Sequence, residues 1–327
     1  MTIQADMQLK QSYQRLQEVR SEIEKILVGQ KELIDLLLIG SLARGHLLLE
    51  GVPGVAKTLA VTTFAKIFRC DCKRIQFTPD LLPADLVGTQ VYHPKEGSFS
   101  IKRGPIFTQI VLADEINRAP AKVQSALLEA MQEKQVSIGG ETFPLPSPFL
   151  VLATQNPIEQ EGTYPLSEAQ TDRFLFKITI HYPAFSEEKE ILQRMGTKSC
   201  IPEPIPLVDP QELVQWQDLV DCVEIDPKLV DYLLQLVFAT RFPKKIQFKE
   251  LEGLLEYGAS PRASLGLQIA AKAAALLEGR SFVLPQDLRK VVHPVLRHRL
   301  RLSYEAEAEN VSADQLIDRL VDFVPAP

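Results

Sequence analysis

Leu9, Tyr13, Leu16, Val19, Ile23 and Ile26 recur at spacings of three or four, so the chain begins with an amphipathic helix that has one core-facing stripe and a charged outer face. The segment ILVGQ interrupts it before a second helical stretch, ELIDLLLIGSLARG. A short apolar run, HLLLEG, then leads into the glycine-containing loop that ends in Lys57-Thr58. Further continuous apolar runs follow at RIQF (74–77), QIVLA (109–113), FLVLAT (149–154) and FLFKITI (174–180). Runs without alternation are expected of strands buried on both faces of a parallel sheet. Helical patterns such as TLAVTTFAKIF and KVQSALLEAMQE lie between them, which gives the strand-helix-strand order of an α/β domain. Two stretches depart from that order. VGTQVYHPKEGSFSIKRGPI (87–106) alternates on either side of HPKEG, and KQVSIGGETFPLPSP (134–148) alternates around Gly139-Gly140, so both read as inserted β-hairpins.

A boundary comes after the last apolar run. Ser186 is the expected N-cap of a helix over SEEKEILQRM, and IPEPIPLVDP (201–210), with four prolines in ten residues, reads as an extended linker. Beyond it the pattern is helical throughout: PKLVDYLLQLVFATR, FKELEGLLEY, SPRASLGLQIAAKAAALLEG and PQDLRKVVHPVLRHRL. The expected organisation is an α/β nucleotide-binding domain over 1–200 that includes the N-terminal helix, a proline-rich linker over 201–210, and a small all-α lid over 211–327.

Composition narrows the picture. At 327 residues and 45% hydrophobic content, the chain can fill two ordinary cores. A net charge of −6 supplies no global positive field for nucleic acid or an anionic membrane. The polar N-terminus lacks a secretory signal, and LIDLLLIGSLA is interrupted by Asp35 and too short to span a bilayer. The expected location is the cytoplasm. Cys70, Cys72, Cys200 and Cys222 do not form a disulfide framework, and no second Cys/His pair completes a zinc site with Cys70 and Cys72. Those two are read as reduced thiols at a helix-to-strand junction.

The loop Gly51-Val52-Pro53-Gly54-Val55-Ala56-Lys57-Thr58-Leu59 has the parts of a phosphate cradle: a strand before it, a helix after it, and a lysine able to reach the outer phosphates of ATP. It departs from the general pattern at Ala56, where glycine is usual, and its methyl group is tolerable if the backbone there keeps φ below zero. The Thr58 hydroxyl is placed to bind Mg2+. About 60 residues on, the strand QIVLA ends in Asp114-Glu115, with Asp114 placed to hold the metal and Glu115 to orient and deprotonate the attacking water. Asn156, at the end of FLVLAT, can reach the γ-phosphate or that water. Together these residues imply hydrolysis rather than binding alone.

GVPGVAKT, VLADEINRAP with KVQSALLEAMQE, VLATQNP, LSEAQTDRF and GASPRA, in this order, resemble the MoxR family of AAA+ ATPases over about residues 20 to 300. In that family the loop commonly carries alanine where Ala56 stands. The resemblance implies a P-loop NTPase fold, an AAA+ core whose parallel sheet is flanked by helices and carries β-hairpin inserts, followed by a small helical lid. It implies that Asn156 is the first sensor, Arg173 the arginine finger that enters the neighbouring subunit's site, and Arg262 the second sensor on the lid. Val28, Gly29 and Gln30 match the segment that touches adenine. The hairpins match the helix-2 insert and pre-sensor hairpin, which would present Tyr92, His93 or Phe99 to a client. The implied assembly is a homo-oligomeric, hexameric ring that remodels, matures or activates a protein client, together with a protein carrying a von Willebrand factor A domain.

Two other classes stay in view. A DNA-directed motor or loader is disfavoured by the acidic charge, and a nucleotide-gated switch that rarely hydrolyses is disfavoured by Glu115. Trp216 is read as lid core. The basic segment of Arg289, Lys290, Arg297, His298, Arg299 and Arg301 is read as a solvated or intersubunit helix face rather than a nucleic-acid patch.

Overall fold

A computed structural model describes residues 3–52, 54–157, 162–196 and 202–327. The chain runs α1 (Ile3–Glu24), α2 (Lys31–Leu42), β1 (Leu47–Gly51), α3 (Lys57–Ile67), β2 (Cys72–Gln76), α4 (Pro83–Val87), β3 (Gly88–His93) and β4 (Ser98–Arg103). It continues through β5 (Ile110–Asp114), α5 (Ala121–Glu133), β6 (Gln135–Ile138), β7 (Glu141–Pro144), β8 (Leu150–Gln155), α6 (Glu168–Thr171), β9 (Phe176–Ile180) and α7 (Phe185–Met195). The remainder is α8 (Pro210–Asp221), α9 (Pro227–Arg241), β10 (Leu255–Tyr257), α10 (Pro261–Leu277), α11 (Pro285–Leu296), β11 (Arg301–Leu302), α12 (Tyr304–Ala308) and α13 (Ala313–Phe323).

Five strands form a parallel sheet in the order β2-β5-β8-β1-β9. Side chains alternate across it. Leu47 and Leu49, Ile110 and Leu112, Leu150 and Leu152 face one apolar cluster, while Leu48, Val111, Ala113, Val151 and Ala153 face the other. The first cluster does not stop at the sheet. It runs from Leu16 and Ile23 of α1 through α2 and α3 into Trp216 of α8, Leu236 of α9, Leu267 of α10 and Leu296 of α11. Trp216 therefore lies at a seam, edge-on to Phe68 just beyond α3. The stretch from Leu207 to Val208 follows the end of α3, with both amides donating to the Ile67 carbonyl.

Both hairpins form. β3 and β4 pair over Gly88–His93 and Ser98–Arg103, and Tyr92 packs at a tilt against Phe99 across the pair, both residues more than half exposed. β6 and β7 pair around Gly139 and Gly140.

Three local readings are corrected. The N-cap of α7 is Ala184, two residues earlier than Ser186, because Glu187 reaches back to accept from the Ala184 amide at 2.7 Å. Residues 248–257 are not one helix: Gly253 at φ +80° breaks the segment into a 3-10 turn followed by β10, which pairs with β11. β2 is an edge strand with only Ile75 of its five residues buried, so it is not enclosed on both faces. Among the described residues, no helix is long and apolar enough to cross a membrane.

Candidate functional site

The phosphate loop leaves β1 at the carboxyl edge of the sheet, between β8 and β9, where the strand order reverses and ligands of open α/β sheets bind. Gly51 is required there by space: a Cβ would fall 2.8 Å from the Ile180 carbonyl of β9. Lys57 begins α3 and donates to the Gly51 carbonyl at 2.5 Å and to the Gln155 carbonyl at 3.4 Å, which joins the loop to the end of β8. Thr58 and Leu59 occupy the first turn of the same helix. Val52, Gly54 and Val55 complete the described loop, and Pro53 lies outside the described residues, as does Cys200. Ala56 overturns one expectation: its φ is +61°, in the left-handed region that strains an L-residue by about 1 kcal/mol. Ala56 takes this conformation as the residue that turns the loop into α3, whereas most other N-caps of the chain are extended.

Asp114 and Glu115 end β5 at the same edge, and their surroundings are polar and ordered. Thr154, fully buried on β8, donates to Asp114 Oδ1 at 2.6 Å and accepts from the Glu115 amide at 2.8 Å. Arg74 of β2 donates to Asp114 Oδ2 through Nη2 at 2.6 Å and Nε at 2.9 Å. Gln76 donates to Glu115 Oε2 at 2.7 Å, and Arg118 lies 3.3 Å from the same oxygen. Glu115 is itself left-handed at φ +57°, a strain that places its side chain beyond the strand end. Asn156 is buried immediately after β8. Val28, Gly29 and Gln30 form the turn between α1 and α2, where the Glu187 carboxylate of α7 leaves no room for a Cβ on Gly29.

No group of three or more His, Cys, Asp or Glu suited to a metal ion occurs among the described residues. Mg2+ takes one or two protein oxygens and completes its shell with phosphate and water. One carboxylate, Asp114, and one hydroxyl, Thr58, are the donor set such an ion needs beside a bound nucleotide.

Arg173 and Arg262 are elsewhere. They line a cavity of about 540 Å3 with Arg44 and His46, which precede β1, Lys134, which follows α5, and Arg299, which lies between α11 and β11; Arg173 itself precedes β9. This is the amino edge of the sheet, and with strands of five residues it is about 16 Å from the carboxyl edge. Arg262 stands in the first turn of α10 as expected: Ser260 caps its amide at 3.2 Å and Pro261 is the first helical residue. The Ser260 hydroxyl also donates to Asp172 at 3.0 Å, and Arg262 Nη1 is 4.0 Å from that carboxylate. Asp172 further pairs with Arg299 at 2.8 Å. The Arg299 side chain is 3% exposed and donates as well to the carbonyls of Asp172, Phe174 and Leu175. The basic segment is thus corrected. Only Arg289 and Arg301 are exposed, while Lys290 pairs with Asp35, Arg297 binds the Lys177 carbonyl, and Arg299 pins the lid to the loop that carries Arg173.

The histidines at this edge are held neutral. His46 donates from Nε2 to the Met131 carbonyl and accepts at Nδ1 from the Val151 amide, and burial pulls its pKa down to about 4. Burial, reinforced by Arg299, lowers His298 well below the usual imidazole value. Cys70 and Cys72 are free thiols that burial pushes up to about 12 and about 11, which makes them poor nucleophiles and metal ligands.

Arg74, Gln76 and Thr154 were not singled out in the sequence. Their signal is polarity inside strands: Arg74 and Gln76 share one face at a spacing of two, and Thr154 ends an otherwise apolar run.

The chain is similar to known proteins along nearly its whole length. Residues 46–176 match the model for the ATPase family associated with various cellular activities (AAA), and residues 250–320 match the AAA lid domain. The chain is 52% identical over 306 residues to "Chaperone MoxR1" of Mycobacterium tuberculosis, covering 94% of this chain and 81% of that protein. It is 43% identical over 305 residues to YeaC of Bacillus subtilis, covering 93% and 92%. It is 33% identical over 340 residues to "Protein MoxR" of Paracoccus denitrificans, covering 98% and 99%. A crystal structure from Cytophaga hutchinsonii superposes with a TM-score of 0.93 at 48% identity, covering 99% of this chain and 98% of that one.

Proposed function

This chain belongs to the MoxR family of AAA ATPases, an ATP-hydrolysing family with a chaperone-like role, and on that premise we propose that it works as a hexameric ring that spends ATP on remodelling a protein client. One observation carries the reading. The phosphate loop, Asp114 and Glu115 stand on the carboxyl edge of the sheet, whereas Arg173 and Arg262 share a cavity on the amino edge. A single copy cannot bring both sets to one nucleotide, and a head-to-tail ring can.

The roles follow from position. Lys57 releases the Gly51 carbonyl to bind the outer phosphates of ATP, and loop amides together with the amino end of α3 face the remaining charge. Thr58 and Asp114 would hold Mg2+, which would supply charge neutralisation to the bound phosphates. Glu115 orients and deprotonates water, and Asn156 positions that water or the γ-phosphate. Val28, Gly29 and Gln30 line the adenine side. Arg173 and Arg262 of one copy complete the site of the next, with Asp172 and Arg299 fixing the angle at which they are presented. Tyr92 and Phe99, exposed on their hairpin, face the client, and a von Willebrand factor A protein is the expected co-worker. The basic run that a DNA-directed motor would use is largely turned into the seam between lid and sheet.

The test is ATP turnover per chain across a range of protein concentrations, with sedimentation run in parallel. Activity should rise as the chain assembles, and Glu115→Gln should lower turnover about hundredfold while nucleotide binding persists. A rate per chain that does not depend on assembly would sink the ring.

A further inference from the structure

The two carboxylates at the end of β5 are joined by a chain of hydrogen bonds that nothing in the hydrolytic scheme requires. Arg74 holds Asp114 Oδ2 at 2.6 Å, and the same Nη2 donates to Gln76 Oε1 at 3.0 Å. Gln76 Nε2 then donates to Glu115 Oε2 at 2.7 Å. The amide of Gln76 can satisfy both neighbours in one orientation only, with its oxygen toward the guanidinium and its nitrogen toward the carboxylate. Strand register makes the chain possible: Gln76 lies beside Asp114 and Arg74 beside Leu112, so both β2 side chains project from the same face toward the end of β5. The Asp114 side chain is 11% exposed and the Arg74 side chain 55%, so the carboxylate is fixed and the guanidinium has room to leave.

We propose that Arg74 is a resident counter-cation that competes with Mg2+ for Asp114. The proposal rests on the reading of Asp114 as the metal-side carboxylate. Oδ1 of Asp114 already accepts from Thr154, and Oδ2 is held by Arg74. A divalent ion needing an Asp114 oxygen meets Arg74 as its rival. Without the metal, Arg74 balances the charge of Asp114 next to the like-charged Glu115.

The experiment is calorimetric titration of ADP into the full chain over a series of Mg2+ concentrations, comparing wild type with Arg74→Gln and Arg74→Lys. Arg74→Gln should lower the half-saturating Mg2+ concentration about threefold to tenfold, while ADP affinity in excess chelator stays unchanged. Arg74→Lys, which keeps the charge, should return the requirement toward wild type. An unchanged or raised Mg2+ requirement in Arg74→Gln overturns the proposal, as does an equal shift in Arg74→Lys, which would make the effect one of shape rather than charge. Absence of any Mg2+-dependent tightening in wild type would instead remove the assignment of Asp114, so the two failures are distinguishable.

Discussion

The two edges of the central sheet are built on opposite principles. At the carboxyl edge the functional groups are strained and bonded to partners that a ligand can replace. Ala56 and Glu115 sit at positive φ, Lys57 rests on backbone carbonyls, and Asp114 and Glu115 are held by side chains of an edge strand. At the amino edge the groups behind the cavity are largely buried and each held by several partners. Arg299 binds a carboxylate and several carbonyls, His46 uses both ring nitrogens, and Asp172 gathers Ser260, Arg262 and Arg299. An edge that exchanges partners as it binds a ligand needs bonds that are readily remade. An edge that only presents two arginines to another molecule needs rigidity, because a displaced guanidinium loses its hold on developing charge.

The largest expected effect separates the edges onto different copies. Arg173→Ala should lower turnover about a thousandfold or more, in the range of arginine fingers generally, with nucleotide affinity little changed. Glu115→Gln damages the other edge. If the two edges of one catalytic site belong to neighbouring chains, mixing the two inactive variants restores activity, because some interfaces then combine an intact Glu115 with an intact Arg173. Turnover of the mixture that stays at the level of the separate variants would break the comparison.

The carboxyl edge was the more legible of the two in the sequence. Its residues come in contiguous stretches, Gly51 to Leu59, Asp114-Glu115 and Asn156, each at the end of an apolar run that marks a strand. The amino edge depends on pairs remote along the chain: Asp172 and Arg299 are 127 positions apart, and their pairing turned an apparently solvated basic run into a buried clamp. Arg74 and Gln76 were hidden for a different reason. RIQF looks like a buried strand until the sheet order places β2 at the edge, where one face is free to carry polar side chains toward its neighbour. Periodicity could not show the backbone of Ala56, because sequence reveals that a methyl is present and not which φ the turn demands.

The rigidity of the amino edge carries its own pH signature. His46 has a folded pKa of about 4 against an ordinary 6.5, so below pH 6.5 the unfolded chain takes up a proton that the folded chain refuses. Stability from this group is complete above pH 6.5 and falls as pH drops toward 4, by about 2 kcal/mol at pH 5. Urea denaturation at pH 7 and pH 5 should show that loss in the wild type. In His46→Gln the loss should be smaller by about the same amount, with His298 accounting for part of what remains. A variant with an unchanged pH dependence would mean that the imidazole accepts protons freely from the cavity, and that this edge is softer than its hydrogen bonds imply.

The smallest effect probes strain at the opposite edge. Ala56 sits at φ +61°, which glycine adopts without penalty, so Ala56→Gly relieves about 1 kcal/mol of native strain and returns part of it through the greater freedom of glycine in the unfolded chain. The expected net change in folding stability is therefore a gain of less than about 1 kcal/mol. Its value lies in what accompanies it. If the strain serves to hold the loop in the shape that receives phosphate, Ala56→Gly should bind ADP more weakly even though it folds more stably, because a glycine-containing loop must be ordered on binding. Tighter binding with greater stability would show that the methyl is only a burden, and that the carboxyl edge keeps its shape through Lys57 and its carbonyl partners alone.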